Sequence, residues 1–197
     1  EFMDYLIHTL IEEAEAQSIV GKLISDNSSW QDGKGTAGSH ASKVKQNKQL
    51  NKNSKIAIEN SQALIKKITS DPLLKSFCLP RRVHGVMFSL TSTGGGYGAH
   101  VDNAYMSSGR SDLSFTLFLT DPDLYKGGEL SIQTIQGSKD IKLQSGQIII
   151  YPSTSLHSVK TVEEGERFAC VGWIQSHIPC NEDRNILFGL DAGARGL

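Results

Sequence analysis

The chain has 197 residues, the size of one ordinary domain with a sizeable core. Its 20 Lys and Arg nearly balance its 21 Asp and Glu, so no global field favours nucleic acid or an anionic membrane. No apolar run is long enough to cross a bilayer, and no signal sequence opens the chain. The cysteines Cys78, Cys170 and Cys180 have no metal-ligand spacing and fit the buried thiols of a reducing compartment. We therefore expect a single cytoplasmic domain, residues 1–197, with no nucleic-acid or membrane partner.

The N-terminal part, about residues 4–79, has a mostly helical apolar pattern. A short strand is predicted at Tyr5–His8, and Thr9-Leu-Ile-Glu12 is typical of a capping box that starts a helix reaching about residue 24. Residues 26–52 are rich in Asn, Ser, Gly and Lys and predict a long loop. A second helix is predicted over Lys55–Ser70.

After Pro80 the apolar period becomes two and turn residues recur at short intervals. Along Leu113–Thr120, apolar residues alternate with a more varied set, as expected when one face of a strand packs into a core. The fold class predicted is α+β, mainly β, with a jelly-roll core at about residues 80–178 and N-terminal helices packed on one sheet. The predicted strands are Val83–Thr91, Ser111–Thr120, Glu129–Gln133, Asp140–Leu143, Gln147–Tyr151, Ser155–Val162 and Phe168–Gln175.

A candidate metal site lies at His100-Val-Asp102. Residues i and i+2 of a strand share a face, so this pair could offer a nitrogen and a carboxylate oxygen to one ion. His157 could supply a third ligand if its strand neighbours the first across the sandwich. Two histidines and one carboxylate are typical of Fe(II) sites that keep positions open for co-substrate and oxygen. An isolated pair of this kind is also common as a surface or hydrogen-bonded pair.

Arg167 opens the apolar run Arg167-Phe-Ala-Cys-Val-Gly-Trp173, so strand alternation directs it to the side of Val171 and Trp173. A cation on an apolar face is costly unless it is paired, and the planar guanidinium suits a carboxylate. We therefore expect an acidic co-substrate. The alternative is an exposed strand-end arginine, or one paired with Glu163, Glu164 or Glu166.

Several sequence blocks occur in order along nearly the whole chain: Trp30–Gly38, Val44–Asn47, Tyr97–Asn103, Asp112–Leu119, Tyr125–Leu130, Tyr151–His157, Trp173–Ser176 and Leu187–Asp191. With these blocks the chain resembles the Fe(II)- and 2-oxoglutarate-dependent dioxygenases, specifically the prolyl 4-hydroxylase-like branch and its bacterial PKHD-type hydroxylases. The resemblance implies a double-stranded β-helix core and hydroxylation of a peptidyl prolyl residue or a small molecule. It also implies that 2-oxoglutarate is decarboxylated to succinate with O₂, with ascorbate as a candidate reductant.

The resemblance assigns roles to individual residues. It implies iron held by His100, Asp102 and His157, and 2-oxoglutarate whose distal carboxylate pairs with Arg167. Tyr97 could line the pocket beside the iron. The resemblance also implies that the segment Asp32–Asn47 lies near the site as a candidate lid.

One position departs from the family pattern, which commonly has a tyrosine nine residues before the first iron histidine. Here that position is Thr91. The second hydrogen bond to the co-substrate could therefore come from Thr91, Ser114, Thr116 or water.

Three residues or segments keep two interpretations at this stage. Trp173 fits a core residue or a substrate platform, and Asn103 fits a brace of the metal loop or a turn residue. The basic segment 43–55 fits a partner site or a solvated surface.

Two rival functions also stay open. A non-oxidative metal enzyme on the same fold would not need Arg167, and a decayed binding module would be consistent with the Thr91 departure.

Overall fold

The computed structural model describes residues 3–26, 29–36 and 44–196. Within these residues the chain forms fifteen strands and four α-helices. The helices are α1 (Glu13–Ser25), α2 (Lys55–Ser70), α3 (Pro72–Cys78) and α4 (Asn181–Arg195). The N-terminal strands are β1 (Leu6–Thr9), β2 (Trp30–Asp32), β3 (Lys45–Gln46) and β4 (Lys48–Leu50). The following strands are β5 (Pro80–Ser92), β6 (Gly96–His100), β7 (Tyr105–Met106), β8 (Gly109–Arg110), β9 (Leu113–Phe118) and β10 (Tyr125–Gly127). The last strands are β11 (Leu130–Thr134), β12 (Gly137–Ile141), β13 (Gln147–Pro152), β14 (His157–Val159) and β15 (Val162–Ser176).

Two antiparallel sheets form the core of the described chain. The major sheet has the order β1-β13-β9-β15-β5-β4-β2, with β10 paired to one end of β15. The minor sheet has the order β12-β11-β14-β6-β3, and β7 and β8 form a separate hairpin. Non-sequential neighbours in both sheets show that the chain crosses repeatedly between them, as in a jelly roll.

The two faces of the major sheet pack against different partners. On β9, Leu113, Phe115 and Leu117 belong to the large apolar cluster that includes residues of all three N-terminal helices, such as Leu23, Leu64 and Leu74. Phe118 instead joins Ile132 and Tyr151 in a second cluster between the sheets. The predicted alternation along this strand is therefore confirmed, and the helices cover the outer face of the major sheet.

Local sequence explains where two of the helices begin. Helix α2 begins after Ser54, whose hydroxyl accepts from the backbone N–H of Ala57. Helix α3 begins after Asp71, which caps Leu74, and has proline at its first position.

The predicted capping box at residues 9–12 is wrong. Thr9 is the last residue of β1, and Glu12 precedes α1 without a side-chain cap. Pairing of β1 with β13 holds the backbone of Thr9 opposite Gln147, which keeps it extended.

The N-terminal part also contains more strand than predicted. The predicted long loop includes β2, β3 and β4, and residues 37–43 of it lie outside the described residues. These strands have only two or three residues, so pairing rather than periodicity defines them: β3 pairs with β6, β4 with β5, and β2 with β4. At the other end, α4 was not predicted as a helix. It packs on α3 with Phe188 edge-on to Phe77 at 5.3 Å.

Among the described residues, no helix combines the length and the apolar character that a bilayer crossing requires.

Candidate metal centre and co-substrate cavity

The structure brings His100, Asp102 and His157 together. His100 ends β6 and lies directly opposite His157, the first residue of β14. The two strands are therefore neighbours in the minor sheet, and the predicted placement across the sandwich is wrong. Asp102 lies two residues beyond the end of β6, so strand alternation does not aim it. It reaches the histidines from the loop.

Both histidines have a fixed orientation. His100 Nδ1 lies 2.8 Å from the carbonyl oxygen of Gly98, and His157 Nδ1 lies 3.0 Å from that of Ser155. When Nδ1–H donates to a carbonyl, the lone pair of Nε2 is left for a metal ion. The ring of Tyr97 stacks on His100 at 3.7 Å. The ring of Tyr151 lies edge-on to His157 at 5.1 Å. Burial and, as the second cause, the positive charge that the neighbouring His157 can carry lower the pKa of His100 to about 4. The lowered pKa favours the neutral imidazole, which is the form that binds metal ions.

Asp102 completes the group. Its Oδ1 lies 3.7 Å from His100 Nε2, and its Oδ2 lies 3.8 Å from His157 Nε2. Ser114 donates to Oδ2 at 2.6 Å and Trp173 donates its indole N–H to the same oxygen at 3.0 Å. The loop carboxylate is therefore held in place by two strands of the major sheet.

The donor set fits a metal ion. The three candidate ligand atoms lie within 4.8 Å of one another, and within the described part of the chain this is the one such group of His, Cys, Asp or Glu. Two imidazole nitrogens and a carboxylate oxygen form the facial set used by non-haem Fe(II) oxygenases. The group could hold Fe(II).

Arg167 lies buried in β15 at 2% exposure. Its Nε and Nη2 make no hydrogen bond with any described residue. Burial lowers the pKa of its guanidinium, while the nearby Tyr125 opposes that shift. The alternative partners are engaged elsewhere, because Glu163 and Glu164 pair with Lys126 and Glu166 accepts from Ser92. The exposed or glutamate-paired interpretation of this arginine is therefore wrong.

The hydroxyl of Tyr125 is buried beside the Arg167 guanidinium and interacts with it, and it has no other polar partner among the described residues. Tyr125 and Arg167 lie side by side against Gly128, where a Cβ would come within 3.0 Å of the tyrosine ring and 3.1 Å of Arg167 Cδ. A buried cluster of unsatisfied donors is costly unless a ligand satisfies it. A carboxylate has the acceptor sites to do so. The cluster therefore fits the distal carboxylate of 2-oxoglutarate.

A cavity of about 400 Å³ connects the metal-binding group to Arg167. Residues of both sheets line it, and they include the predicted residues Tyr97, Thr91, Ser114 and Thr116. Thr91 lies opposite Arg167 in the pairing of β5 with β15. The hydroxyl of Ser114 is already used by Asp102, which leaves Thr91 and Thr116 as the candidates for a ligand contact.

Sequence reasoning missed three residues of this region. Lys45 lines the cavity with its ammonium group 5.0 Å from the Tyr97 ring centroid, and burial lowers its pKa to about 8 against the opposing charges of Asp102 and Asp32. Trp173 had two interpretations, a core residue or a substrate platform, and neither included its role in the structure, where it lines the cavity and donates its indole N–H to Asp102. Tyr125 begins the sequence block Tyr125–Leu130, but nothing in that block indicates its contact with Arg167.

Two further predicted features have a less defined place. Asn103 is exposed and lines the cavity mouth. The candidate lid Asp32–Asn47 is described only at its two ends, because residues 37–43 lie outside the described residues. Lys43, the first residue of the basic segment 43–55, is among them. The described ends contribute Val44, Lys45 and Asn47 to the cavity wall.

The comparisons with known proteins agree with this site. The profile of the 2OG-Fe(II) oxygenase superfamily matches residues 86–175, which include His100, Asp102, His157 and Arg167. A PKHD-type hydroxylase of Prochlorococcus marinus strain MIT 9211 is 63% identical over 99% of this chain and 88% of its own length. A PKHD-type hydroxylase of strain MIT 9313 is 64% identical with the same coverage.

Solved structures show the same fold at low sequence identity. A Pseudomonas putida prolyl-4-hydroxylase has a TM-score of 0.63 and 15% identity, covering 89% of this chain and 94% of its own. A Trichoplax adhaerens prolyl hydroxylase in complex with a hypoxia inducible factor peptide has a TM-score of 0.64 and 14% identity. The match covers 93% of this chain and 86% of the Trichoplax chain. The predicted jelly-roll fold with N-terminal helices is confirmed.

Fold and site thus define an oxygenase that uses Fe(II), 2-oxoglutarate and O₂. Within that class, the chain belongs to the PKHD-type hydroxylases. The non-oxidative enzyme and the decayed binding module are both disfavoured, because the three candidate metal ligands lie together and Arg167 lines the same cavity.

Proposed function

We propose that the protein hydroxylates a prolyl residue of a peptide or protein while converting 2-oxoglutarate to succinate. The observation that carries the proposal is the shared cavity. A His-Asp-His group and a buried arginine with unsatisfied N–H groups line the same cavity.

The residue roles follow from this arrangement. His100, Asp102 and His157 would hold Fe(II), which supplies the oxygen-activating chemistry when it is bound together with 2-oxoglutarate. The tyrosine rings of Tyr97 and Tyr151 hold the two imidazoles against rotation. The surrounding sheets exclude bulk water, since each of the three metal-binding side chains is at most 11% exposed.

The co-substrate would lie between the metal-binding group and Arg167. The guanidinium would donate through Nε and Nη2 to the distal carboxylate, and the Tyr125 hydroxyl supplies a further donor beside it. Thr91 and Thr116 line the same cavity, Thr91 directly opposite Arg167 in the strand pairing, and they are the proposed replacements for the tyrosine common in the family. These contacts satisfy donors that are otherwise buried without partners.

The cavity mouth supports an uncharged, partly apolar substrate group. Val44 and Val101 line the cavity and are 46% and 49% exposed, and Met106 lies beside them. Exposed apolar side chains at the rim of a concave site are typical of ligand contact. A prolyl ring fits such a rim, and two of the solved relatives by fold are prolyl hydroxylases, one of them bound to a peptide.

The test is a screen of proline-containing peptides with Fe(II), 2-oxoglutarate and ascorbate. We expect at least one peptide to gain one oxygen atom on proline, located by fragmentation mass spectrometry, with an equal amount of succinate formed. A matched peptide with alanine in place of that proline is the control and should remain unmodified.

Two outcomes would contradict the proposal. If oxygen is added to the alanine-substituted peptide at the same rate, the target is not proline. If only a free small molecule is hydroxylated, the peptidyl assignment fails while the oxygenase assignment stands.

A further inference from the structure

The side-chain carboxylate of Asp102 is held asymmetrically. Its Oδ2 accepts two hydrogen bonds, one from the Ser114 hydroxyl at 2.6 Å and one from the Trp173 indole at 3.0 Å. A carboxylate oxygen has about two acceptor sites, so these donors use both sites of Oδ2. The hydrogen bonds therefore leave Oδ1 as the oxygen with free acceptor sites for a metal ion, although the distances to the two histidines are similar, 3.7 Å from Oδ1 to His100 Nε2 and 3.8 Å from Oδ2 to His157 Nε2.

The fold fixes the position of the Trp173 indole. Gly85 has φ +63° and lies under the ring, and a Cβ at that position would lie 2.5 Å from ring atom Cε3. The register of β15 against β5 shifts at the same place, because Val171 lies opposite Met87 and Trp173 lies opposite His84, so β5 has one extra residue beside Gly85. Strand β15 itself pairs regularly with β9 here, and Trp173 faces the cavity together with Arg167 and Val171. The space over Gly85 accommodates the ring, and the indole N–H reaches Asp102.

We infer that Trp173 is a positioning residue for the metal ligand Asp102. Together with Ser114 it holds Oδ2, so that Asp102 binds the metal ion through Oδ1 alone. This inference rests on the proposed metal site. A one-oxygen carboxylate keeps the three-ligand facial set that leaves room for 2-oxoglutarate and O₂, whereas a carboxylate released from its donors could offer both oxygens to the metal.

The chain offers a matched control, because it has only two tryptophans. Trp30 donates its indole N–H to the carbonyl oxygen of Leu23 and packs edge-on to Phe168, away from the metal-binding group. Trp173→Phe and Trp30→Phe therefore each remove one indole N–H while keeping an aromatic ring. Only the first removes a donor to Asp102.

The experiment measures Co(II) binding to the metal-free protein, using both the dissociation constant and the visible ligand-field spectrum. We expect Trp173→Phe to weaken Co(II) binding by about 10-fold or more and to change the spectrum, since loss of a partner that orients a ligand typically costs about 10–100-fold. Ser114→Ala removes the other donor and should shift both quantities in the same direction. Trp30→Phe should match the wild type.

The possible failures are distinguishable. If wild type binds Co(II) while Trp173→Phe retains its affinity and its spectrum, the positioning role of Trp173 is overturned and the metal site stands, whatever Ser114→Ala does. If wild type does not bind Co(II), the metal site itself is overturned, and this inference with it.

Discussion

His157→Ala is expected to weaken Fe(II) binding by more than about 100-fold and to abolish turnover. His157 offers one of three ligand atoms that lie within 4.8 Å of one another. Losing a partner that merely orients a ligand already costs about 10–100-fold in metal affinity or activity, so losing a ligand should cost more. The measurement is Fe(II) affinity under anaerobic conditions, followed by succinate formation at saturating 2-oxoglutarate.

A matched control for this substitution is His177→Ala. His177 is exposed and lies outside the cavity, so this variant should keep wild-type metal affinity and turnover. Wild-type turnover by His157→Ala would show that this histidine is not a ligand. Thermal melting of the metal-free variant checks that lost binding does not reflect lost folding.

Arg167→Met is expected to abolish tight 2-oxoglutarate binding while leaving the ligand-free protein at least as stable as wild type. Truncating one partner of a buried, charged hydrogen-bonded pair costs about 2–5 kcal/mol, which corresponds to about 30-fold or more in affinity. In the ligand-free protein the same guanidinium is buried with Nε and Nη2 unsatisfied among the described residues, so an apolar side chain of similar length relieves a cost. The measurements are the dissociation constant for 2-oxoglutarate and the midpoint of thermal unfolding without ligand.

Arg167→Lys separates charge from geometry. Lysine keeps the positive charge but loses the planar fork, so we expect affinity between that of wild type and that of the methionine variant. Wild-type affinity in Arg167→Met would show that the distal carboxylate binds elsewhere. Metal affinity should be the same in all three proteins, because Arg167 is not among the metal-binding side chains.

The chemistry of the site was more predictable from the sequence than its geometry. His100, Asp102, His157 and Arg167 were identified because few side chains bind metals or carboxylates and because their order matched a known family. The reason given for Asp102 was wrong, since β6 ends at His100 and two donors from the major sheet hold the carboxylate instead. Contacts between residues that are distant in the chain leave no local pattern.

The same limit explains the residues that were missed. Trp173 lies in an apolar run that is typical of a core strand. Alternation puts it on the side of Arg167, but its hydrogen bond to the Asp102 loop and the space left over Gly85 are contacts between residues distant in the chain. Tyr125 joins Arg167 because β10 pairs with the end of β15, which no periodicity indicates.

The secondary structure likewise divides into elements that have a pattern in the sequence and elements that only long-range contacts define. The strand Leu113–Phe118 was predictable because its two faces have different partners. Strands of two or three polar residues, such as Lys45–Gln46, are defined only by their neighbours. Helix α4 was missed because its one buried residue is Arg184, so its apolar pattern does not mark a core face.

The most direct test of the account is an anaerobic titration of the Fe(II)-loaded wild-type protein with 2-oxoglutarate, following the visible charge-transfer band of the chelate. The account predicts a saturable band with 2-oxoglutarate and no band with succinate, which lacks the keto oxygen needed to chelate the metal. Bound iron without a band at any 2-oxoglutarate concentration would contradict it.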